Sequence, residues 1–261
     1  MTWTRATKQF RCVICDHPDW CTYSEELQSW CCMRVQSYRP TKNGGWLHRL
    51  GEKPKFIPKP EPEVPEIDAE GLMQEWSHLT RWSWVCSFAD QLSVTGNSLM
   101  DIGIAWAEPH HAWAFPMFNG NGHCVGIRLR LQDGRKLSVR GGKEGLFLPH
   151  GGNHTAYLVE GPTDLAAART LGLWGIGRPS CRGAVAHTQV TINRLGIRRV
   201  IIIGDNDAPG IDGAKALAAE LQVPVACMLL PCKDLRAYVQ MGGTIGLIRS
   251  LEEQLVWRQP K

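Results

Sequence analysis

The chain has 261 residues, 43% hydrophobic and 21% charged, with a formal net charge of +4. That is enough apolar mass for one or two folded domains, and it excludes a chain disordered throughout. The longest apolar runs, such as Val200–Ile203 and Val225–Leu230, fall far short of the roughly 20 residues of a membrane span, so no membrane partner is expected. The opening residues, Met1-Thr-Trp-Thr-Arg-Ala-Thr-Lys, show no apolar core ahead of a small-residue cleavage site, and a cytoplasmic location is the expectation.

In chain order, the first feature is a cysteine cluster. Five of the ten cysteines lie between Cys12 and Cys32, while Cys86, Cys124, Cys181, Cys227 and Cys232 are scattered as core cysteines are. A reducing compartment disfavours disulfides, so the cluster points to metal. Cys12-x-x-Cys15, Cys21 and the Cys31-Cys32 pair can supply four thiolates to a tetrahedral structural Zn2+ site. The preferred ligands are Cys12, Cys15, Cys21 and Cys32, with Cys31 the spare and His17 an outside alternative. Four thiolates leave no open position for chemistry, so zinc would supply folding free energy to a head too short for a large core. The head also interleaves Arg34, Arg39, Lys42 and Arg49 with Trp30, Tyr38, Trp46 and His48. That composition suits single-stranded nucleic acid, and equally a solvated surface around a small core.

Five prolines between Gly51 and Asp68 read as an extended interdomain linker, 51–68, separating a zinc-binding head, 1–50, from the body. The body opens with a helix over Ala69–Trp84, carried by Leu72, Trp76 and Leu79, and a second helical stretch around Phe88–Leu92. From Trp113 to Leu148 short β-like runs alternate with Asn-Gly and Asp-Gly hairpin signals. Between Cys124 and Lys143 the basic residues Arg128, Arg130, Arg135, Lys136, Arg140 and Lys143 face a single acid, Asp133, a local charge of +5. Arg128 and Arg130 share one face of a strand, which can track a phosphate backbone or simply keep a hairpin soluble. Beyond His154, apolar strand runs alternate with Ala-rich helices, the pattern of a parallel sheet with covered faces.

Three motifs in this C-terminal half place carboxylates at strand ends. They are Val159-Glu160-Gly161-Pro162-Thr163-Asp164, Ile203-Gly204-Asp205-Asn206-Asp207-Ala208-Pro209-Gly210 and Pro231-Cys232-Lys233-Asp234-Leu235. Ligands bind where the strands of an open parallel sheet end, so these acids should converge. Asp205 and Asp207 alone also fit an Asx turn, while the set of three motifs suits a divalent cation, which takes hard oxygens and is completed by substrate phosphates. Such a site serves phosphoryl or nucleotidyl transfer, one carboxylate acting as general acid or base. Gly177-Arg178-Pro179-Ser180-Cys181 reads as a plain turn, with a place at the crevice border as the alternative.

Glu160-Gly161 after one strand and Asp205-x-Asp207 with Gly210 after another resemble the Toprim domain of bacterial-type primases, type IA and II topoisomerases and some nucleases, over about 156–238. The resemblance implies a Rossmann-like parallel α/β sheet, with Glu160 as general acid/base and Asp205 and Asp207 as ligands, with Glu160, of Mg2+ or Mn2+. It makes Asp164, Lys233 and Asp234 auxiliary. Upstream, Phe115-Pro116-Met117, Val125-Gly126-Ile127, Arg130, Lys136 and Gly145-Leu146-Phe147 resemble the strand-rich subdomain that precedes Toprim in bacterial replicative primases. The implied order is a zinc-ribbon-like head, an α+β basic subdomain at 69–152, a Toprim domain at 153–242 and a helical tail at 243–261.

That order favours a primase over a topoisomerase, whose catalytic tyrosine needs a separate cleavage domain that Tyr23, Tyr38, Tyr157 and Tyr238 lack around them. A primase of this kind joins ribonucleoside triphosphates into short primers on single-stranded DNA, with Arg128, Arg130, Lys136, Arg140 and Lys143 holding template or triphosphate. No helicase-interacting C-terminal domain and no P-loop are expected, so a helicase partner would be a separate protein. The compact order resembles primases of phages, plasmids or other mobile elements. The alternatives are a Toprim nuclease, needing metal but no nucleoside triphosphates, and a non-catalytic nucleic-acid-binding accessory of replication or defence.

Overall fold

The computed structural model describes residues 2–42, 44–50 and 65–260. The chain divides into two compact units, Met1–Glu63 and Val64–Lys261. Of the expected linker, residues 51–64 lie outside the described residues, and Pro65–Asp68 already belongs to the second unit. There Glu66 pairs with Lys143, and the Asp68 carboxylate caps the first helix by accepting from the Gly71 amide.

The first unit is an antiparallel sheet in the order β1 (Thr4–Arg5), β2 (Thr22–Ser24), β3 (Ser29–Cys32) and β4 (Trp46–Arg49). Its small core consists of Ala6, Cys12, Cys21, Trp30, Cys32 and Val35, with the rings of Phe10, Tyr23 and Trp30 packed together at 5.2–5.8 Å. So little apolar area cannot by itself offset the entropy of ordering the chain, which leaves the cysteines as the remaining source of stability.

The second unit joins two sheets. Helices α1 (Ala69–Leu79), α2 (Trp82–Leu92) and α3 (Gly96–Asp101) precede an antiparallel sheet of β5 (Ala105–Ala107), β6 (Ala112–Phe118), β7 (Cys124–Leu131) and β8 (Lys136–Ser138). The loops after β6 and β7 carry the Asn-Gly and Asp-Gly steps of the sequence, as hairpin chemistry requires. The helical face of α1 differs from the expected one: Ala69, Met73 and Trp76 are buried against the sheet, while Leu79 is exposed. The chain turns at Thr80 and Arg81, so the expected single helix to Trp84 is two.

The C-terminal half is a parallel sheet in the order β10-β9-β11-β12, built from β9 (Thr155–Glu160), β10 (Gly175–Arg178), β11 (Arg199–Ile203) and β12 (Val225–Met228). Helices α4 (Gly161–Thr170), α5 (Val185–Arg194) and α6 (Ala208–Glu220) connect the strands, and α7 (Leu235–Gln240) and α8 (Ile245–Glu252) follow. Apolar residues cover both faces, Tyr157, Val159, Ile201 and Ile203 in one cluster and Ala156, Leu158, Val200 and Ile202 in the other. The tail is helical only through α8; Arg258 then returns to form an antiparallel bridge with Val225, covering the edge of the sheet.

One segment fixes the two sheets against each other. Leu146 exchanges two 2.7 Å backbone hydrogen bonds with Phe118 at the end of β6, and the next residue, Phe147, exchanges bonds of 2.8 and 2.9 Å with Gly177 in β10. Gly145 permits this approach, because a Cβ there would stand 2.6 Å from the Phe118 carbonyl oxygen. The basic strands β7 and β8 are thereby held beside the strand ends of the parallel sheet.

Candidate functional site

In the first unit, Cys12, Cys15, Cys21 and Cys32 converge, with their sulfurs all within 4.8 Å of one another. The Cys15–Cys21 and Cys21–Cys32 separations are 3.7 and 3.9 Å. A tetrahedral Zn–S length of about 2.3 Å gives sulfur–sulfur edges of about 3.8 Å, so the set fits structural zinc. Cys31 is the neighbour of Cys32 on β3 and therefore faces the other side of the strand, where its sulfur lies 3.8 Å from the Thr41 hydroxyl. His17 is exposed and outside the group. Backbone amides of Met33, Arg34 and Val35 donate to the Cys21 and Cys32 sulfurs at 3.3–3.5 Å, orienting them and favouring thiolate. The Cys12 thiol is pushed up by its hydrogen bond to Cys32 and by burial, while that same bond pulls Cys32 down to about 5. Burial pushes Cys21 up to about 11. A divalent ion bound to the four sulfurs would displace the remaining thiol protons.

In the second unit the acids lie on, or just ahead of, three helices, α4, α6 and α7. Glu160 ends β9 and occupies the N-cap of α4 without spending its carboxylate on the helix, since no amide caps to it. Gly161 follows at φ +83°, a conformation that L residues avoid, and turns the chain directly into α4 behind the carboxylate. Asp205 follows β11. Asp207 caps α6, accepting from the Gly210 amide at 2.8 Å, and Asp234 caps α7, accepting from Ala237 at 2.6 Å. Asp164 is buried on α4 and accepts from the Arg236 amide at 2.9 Å, tying α4 to α7.

A crevice of about 330 Å³ receives most of them. Its acidic wall is Glu160, Asp164, Asp205 and Asp234; Arg130, Lys136, Lys233 and Arg236 provide the cations. Glu160 is raised by burial and then by Asp205, with Arg178 opposing. Asp205 is raised by burial and then by Asp234 and Asp207, with Lys233 and Lys136 opposing. Burial and the Asp234 charge raise Asp164 to about 7. Carboxylates so placed repel each other unless a cation joins them.

The carboxylates stay more widely spaced than the thiols: among the described residues the cysteine group alone brings three or more such ligand atoms within 4.8 Å. Asp207 is exposed outside the crevice wall, though its charge reaches both Glu160 and Asp205.

The basic residues divide. Arg130 pairs across the strands with Lys136, and both line the crevice. Arg128 stands two residues from Arg130 on the same face, and its Nε is buried without a hydrogen-bond partner. Arg140 and Lys143 are exposed and do not line the crevice.

One crevice residue, Arg236, escapes sequence reading, while the 177–181 segment takes its alternative place at the crevice border through Pro179 and Ser180. Arg236 stands two positions after Asp234, and only the α7 cap turns it inward. Arg178 closes β10 as the register partner of Glu160, so Gly177-Arg178 is strand and the turn begins at Pro179. Its buried guanidinium donates to the carbonyls of Cys181 and Gly183 at 2.8–3.2 Å, holding the 180–183 loop beside the crevice wall formed by Pro179 and Ser180.

No sequence-family model and no curated protein sequence matches the chain. Solved structures do. A DnaG primase catalytic domain bound to single-stranded DNA superposes with a TM-score of 0.58 at 14% identity, covering 72% of this chain and 78% of that one. The Aquifex aeolicus primase, with its zinc-binding and RNA polymerase domains, gives 0.57 at 15%, covering 73% and 60%. The primase fragment of the bacteriophage T7 primase-helicase gives 0.53 at 15%, covering 95% and 99%. The chain has the DNA primase core fold. At these identities the likeness is one of fold; the chemistry rests on the residues.

Proposed function

We propose that the protein is a DNA-templated primase, joining ribonucleoside triphosphates into short primers on single-stranded DNA. The observation that carries this reading is the crevice at the parallel strand ends, where Glu160, Asp205 and Asp234 share one space with Arg130, Lys136, Lys233 and Arg236. A bare cluster of either sign would serve a binder or a solvated surface. Both signs together match a polyanionic substrate that arrives with its cation. The primase core fold and the four-cysteine head support the same reading.

In this scheme Asp205 and Asp207, with Glu160, would hold Mg2+ or Mn2+, which would supply charge neutralisation at the phosphate oxygens. Their free carboxylate oxygens are the hard donors such an ion takes. Arg130, Lys136 and Lys233 bind the triphosphate, and the unpartnered Arg128 Nε offers a further donor in the adjoining wall. Glu160, raised by burial and then by Asp205, would act as the general acid or base. Asp164 and Asp234 brace α4 against α7 and keep the wall in place.

The test incubates the full chain with single-stranded template, labelled ribonucleotides and Mg2+. Oligoribonucleotide should appear and should vanish in Asp205→Ala and Asp207→Ala. Absence of product, or synthesis untouched in both variants, rejects the reading. Template cleavage without added nucleotides assigns the site to a nuclease instead.

A further inference from the structure

Arg178 is a charge buried for the sake of a loop. It ends β10, the outermost strand of the parallel sheet, as the register partner of Glu160, and only 3% of it is exposed. No carboxylate lies within ion-pair distance of it among the described residues. Its donors go instead to backbone, Nε and Nη2 to the Gly183 carbonyl at 3.2 and 2.8 Å and Nη1 to the Cys181 carbonyl at 3.1 Å. The rigid guanidinium fork thus grips the loop on both sides of Arg182, which is left exposed. A desolvated cation without a carboxylate partner is costly to keep, and it persists where the shape it enforces matters.

Three further contacts hold the same loop. The Ser180 Oγ accepts from the Gly183 amide at 2.9 Å, closing the turn. Cys181 lies directly on α6, where a Cβ at Gly213 would stand 2.7 Å from the Cys181 Cβ and 2.8 Å from its carbonyl oxygen. Ala184, where the loop enters α5, takes φ +57°, a left-handed conformation that an alanine adopts only under constraint. Backbone strain held in place from several directions collects at functional sites. The loop is therefore fixed both to the partner of Glu160 and to the helix that Asp207 caps.

What this loop presents to the crevice is Pro179 and Ser180. The Ser180 side chain is exposed, and because its oxygen accepts from Gly183, its own proton stays free: no protein acceptor takes it among the described residues. A fixed hydroxyl donor thus borders a space whose other donors are the charged groups of Arg130, Lys136, Lys233 and Arg236.

We propose that Ser180 binds the substrate by donating its hydroxyl proton to a phosphate oxygen in the acidic crevice, and that Arg178 is the positioning residue that sets it there. The inference rests on the primase reading for the identity of that phosphate, which belongs to the nucleoside triphosphate or to the nucleic-acid strand.

The experiment titrates the full chain with α,β-methylene-ATP and Mg2+, which binds without being incorporated, and separately with a labelled oligothymidylate. Ser180→Ala should weaken one of the two by about 5- to 50-fold, the range of one hydrogen bond to a charged acceptor, and Ser180→Thr should keep the parent affinity. The ligand that weakens identifies the source of the phosphate. Arg178→Lys keeps the charge and loses the fork, so it should weaken the same ligand and speed tryptic cleavage after Arg182, whereas Ser180→Ala should leave cleavage unchanged. Both affinities unchanged in Ser180→Ala overturn the inference, and this pair of serine variants decides it even if Arg178→Lys does not fold. A loop opened to trypsin in a folded Arg178→Lys protein that binds both ligands normally overturns the positioning role. Primer synthesis is scored separately. A parent chain that makes no primer but loses affinity on Ser180→Ala keeps the serine contact and removes the primase. A chain that primes normally while Ser180→Ala binds normally does the reverse.

Discussion

The cysteine head and the carboxylate crevice are two polar clusters solved in opposite ways. In the head, four sulfurs close to within 4.8 Å and receive backbone amides, a finished coordination sphere made by one short stretch of chain. In the crevice, acids delivered by β9, β11 and the start of α7 remain apart, raised by one another's charge, with cations on the facing wall. A structural site is complete in the protein alone, while a site that handles substrate keeps room for it and bears the repulsion until it arrives. The head draws its stability from its cluster, whereas the second unit has an apolar core of its own and can tolerate strain in its crevice.

Removing metal from the head should give the largest effect. Structural zinc contributes on the order of 10 kcal/mol to small domains, more than the head's core can replace. Cys12→Ser, or a strong chelator, should therefore leave the head susceptible to protease while the second unit keeps its own thermal transition. Mass spectrometry of limited digests checks this. A head that stays protected after complete chelation breaks the contrast, since the two clusters would then both be dispensable for folding. Next in size is the crevice: Glu160→Gln keeps shape and removes the ionisable group, and should lower primer synthesis by about 10²–10⁴-fold with little change in melting temperature. A large fall in melting temperature would instead make Glu160 a structural residue like the cysteines.

How far each cluster was legible in sequence follows the same division. The zinc set was readable because Cys12, Cys15, Cys21 and Cys32 lie within one short stretch, and Cys31 could be set aside only once β3 showed which of two adjacent side chains faces in. Strands β9, β11 and β12 announce themselves as apolar runs. Strand β10, Gly-Ile-Gly-Arg, does not, because its glycines serve close backbone approach to Tyr157 and Gly161. The acids were legible as strand-end motifs. Their opposite wall was legible only in part: Arg130, Lys136 and Lys233 are among the expected residues and Arg236 is not, and which cations share the crevice depends on the Leu146–Phe147 junction between sheets and on the α7 cap, both long-range facts. For the same reason Arg140 and Lys143, adjacent in sequence to Lys136, fall outside it. The alignment of Trp106 and Trp113 with Arg130 and Lys136 across β5 to β8 is a property of register, invisible until the strands are paired.

Asp164 gives the smallest and most discriminating test of the strained crevice. Its carboxyl is raised from the ordinary 3.8 to about 7, by burial first and then by Asp234. A raised folded-state value means that the protonated form is the one the fold prefers. The stability it confers is complete below about pH 4 and is lost as pH rises through about 7. Asp164→Asn keeps an oxygen to accept from the Arg236 amide and carries no charge for Asp234 to repel. With no divalent ion present, the variant should melt several degrees above the parent at pH 8, reflecting about 1–3 kcal/mol, and should match it near pH 4. An equal gain at both pH values would trace the effect to packing. A gain at pH 8 that shrinks when Mg2+ is added to the parent would show that a cation relieves the same repulsion the substitution removes, which is the property that separates this crevice from the closed cysteine site.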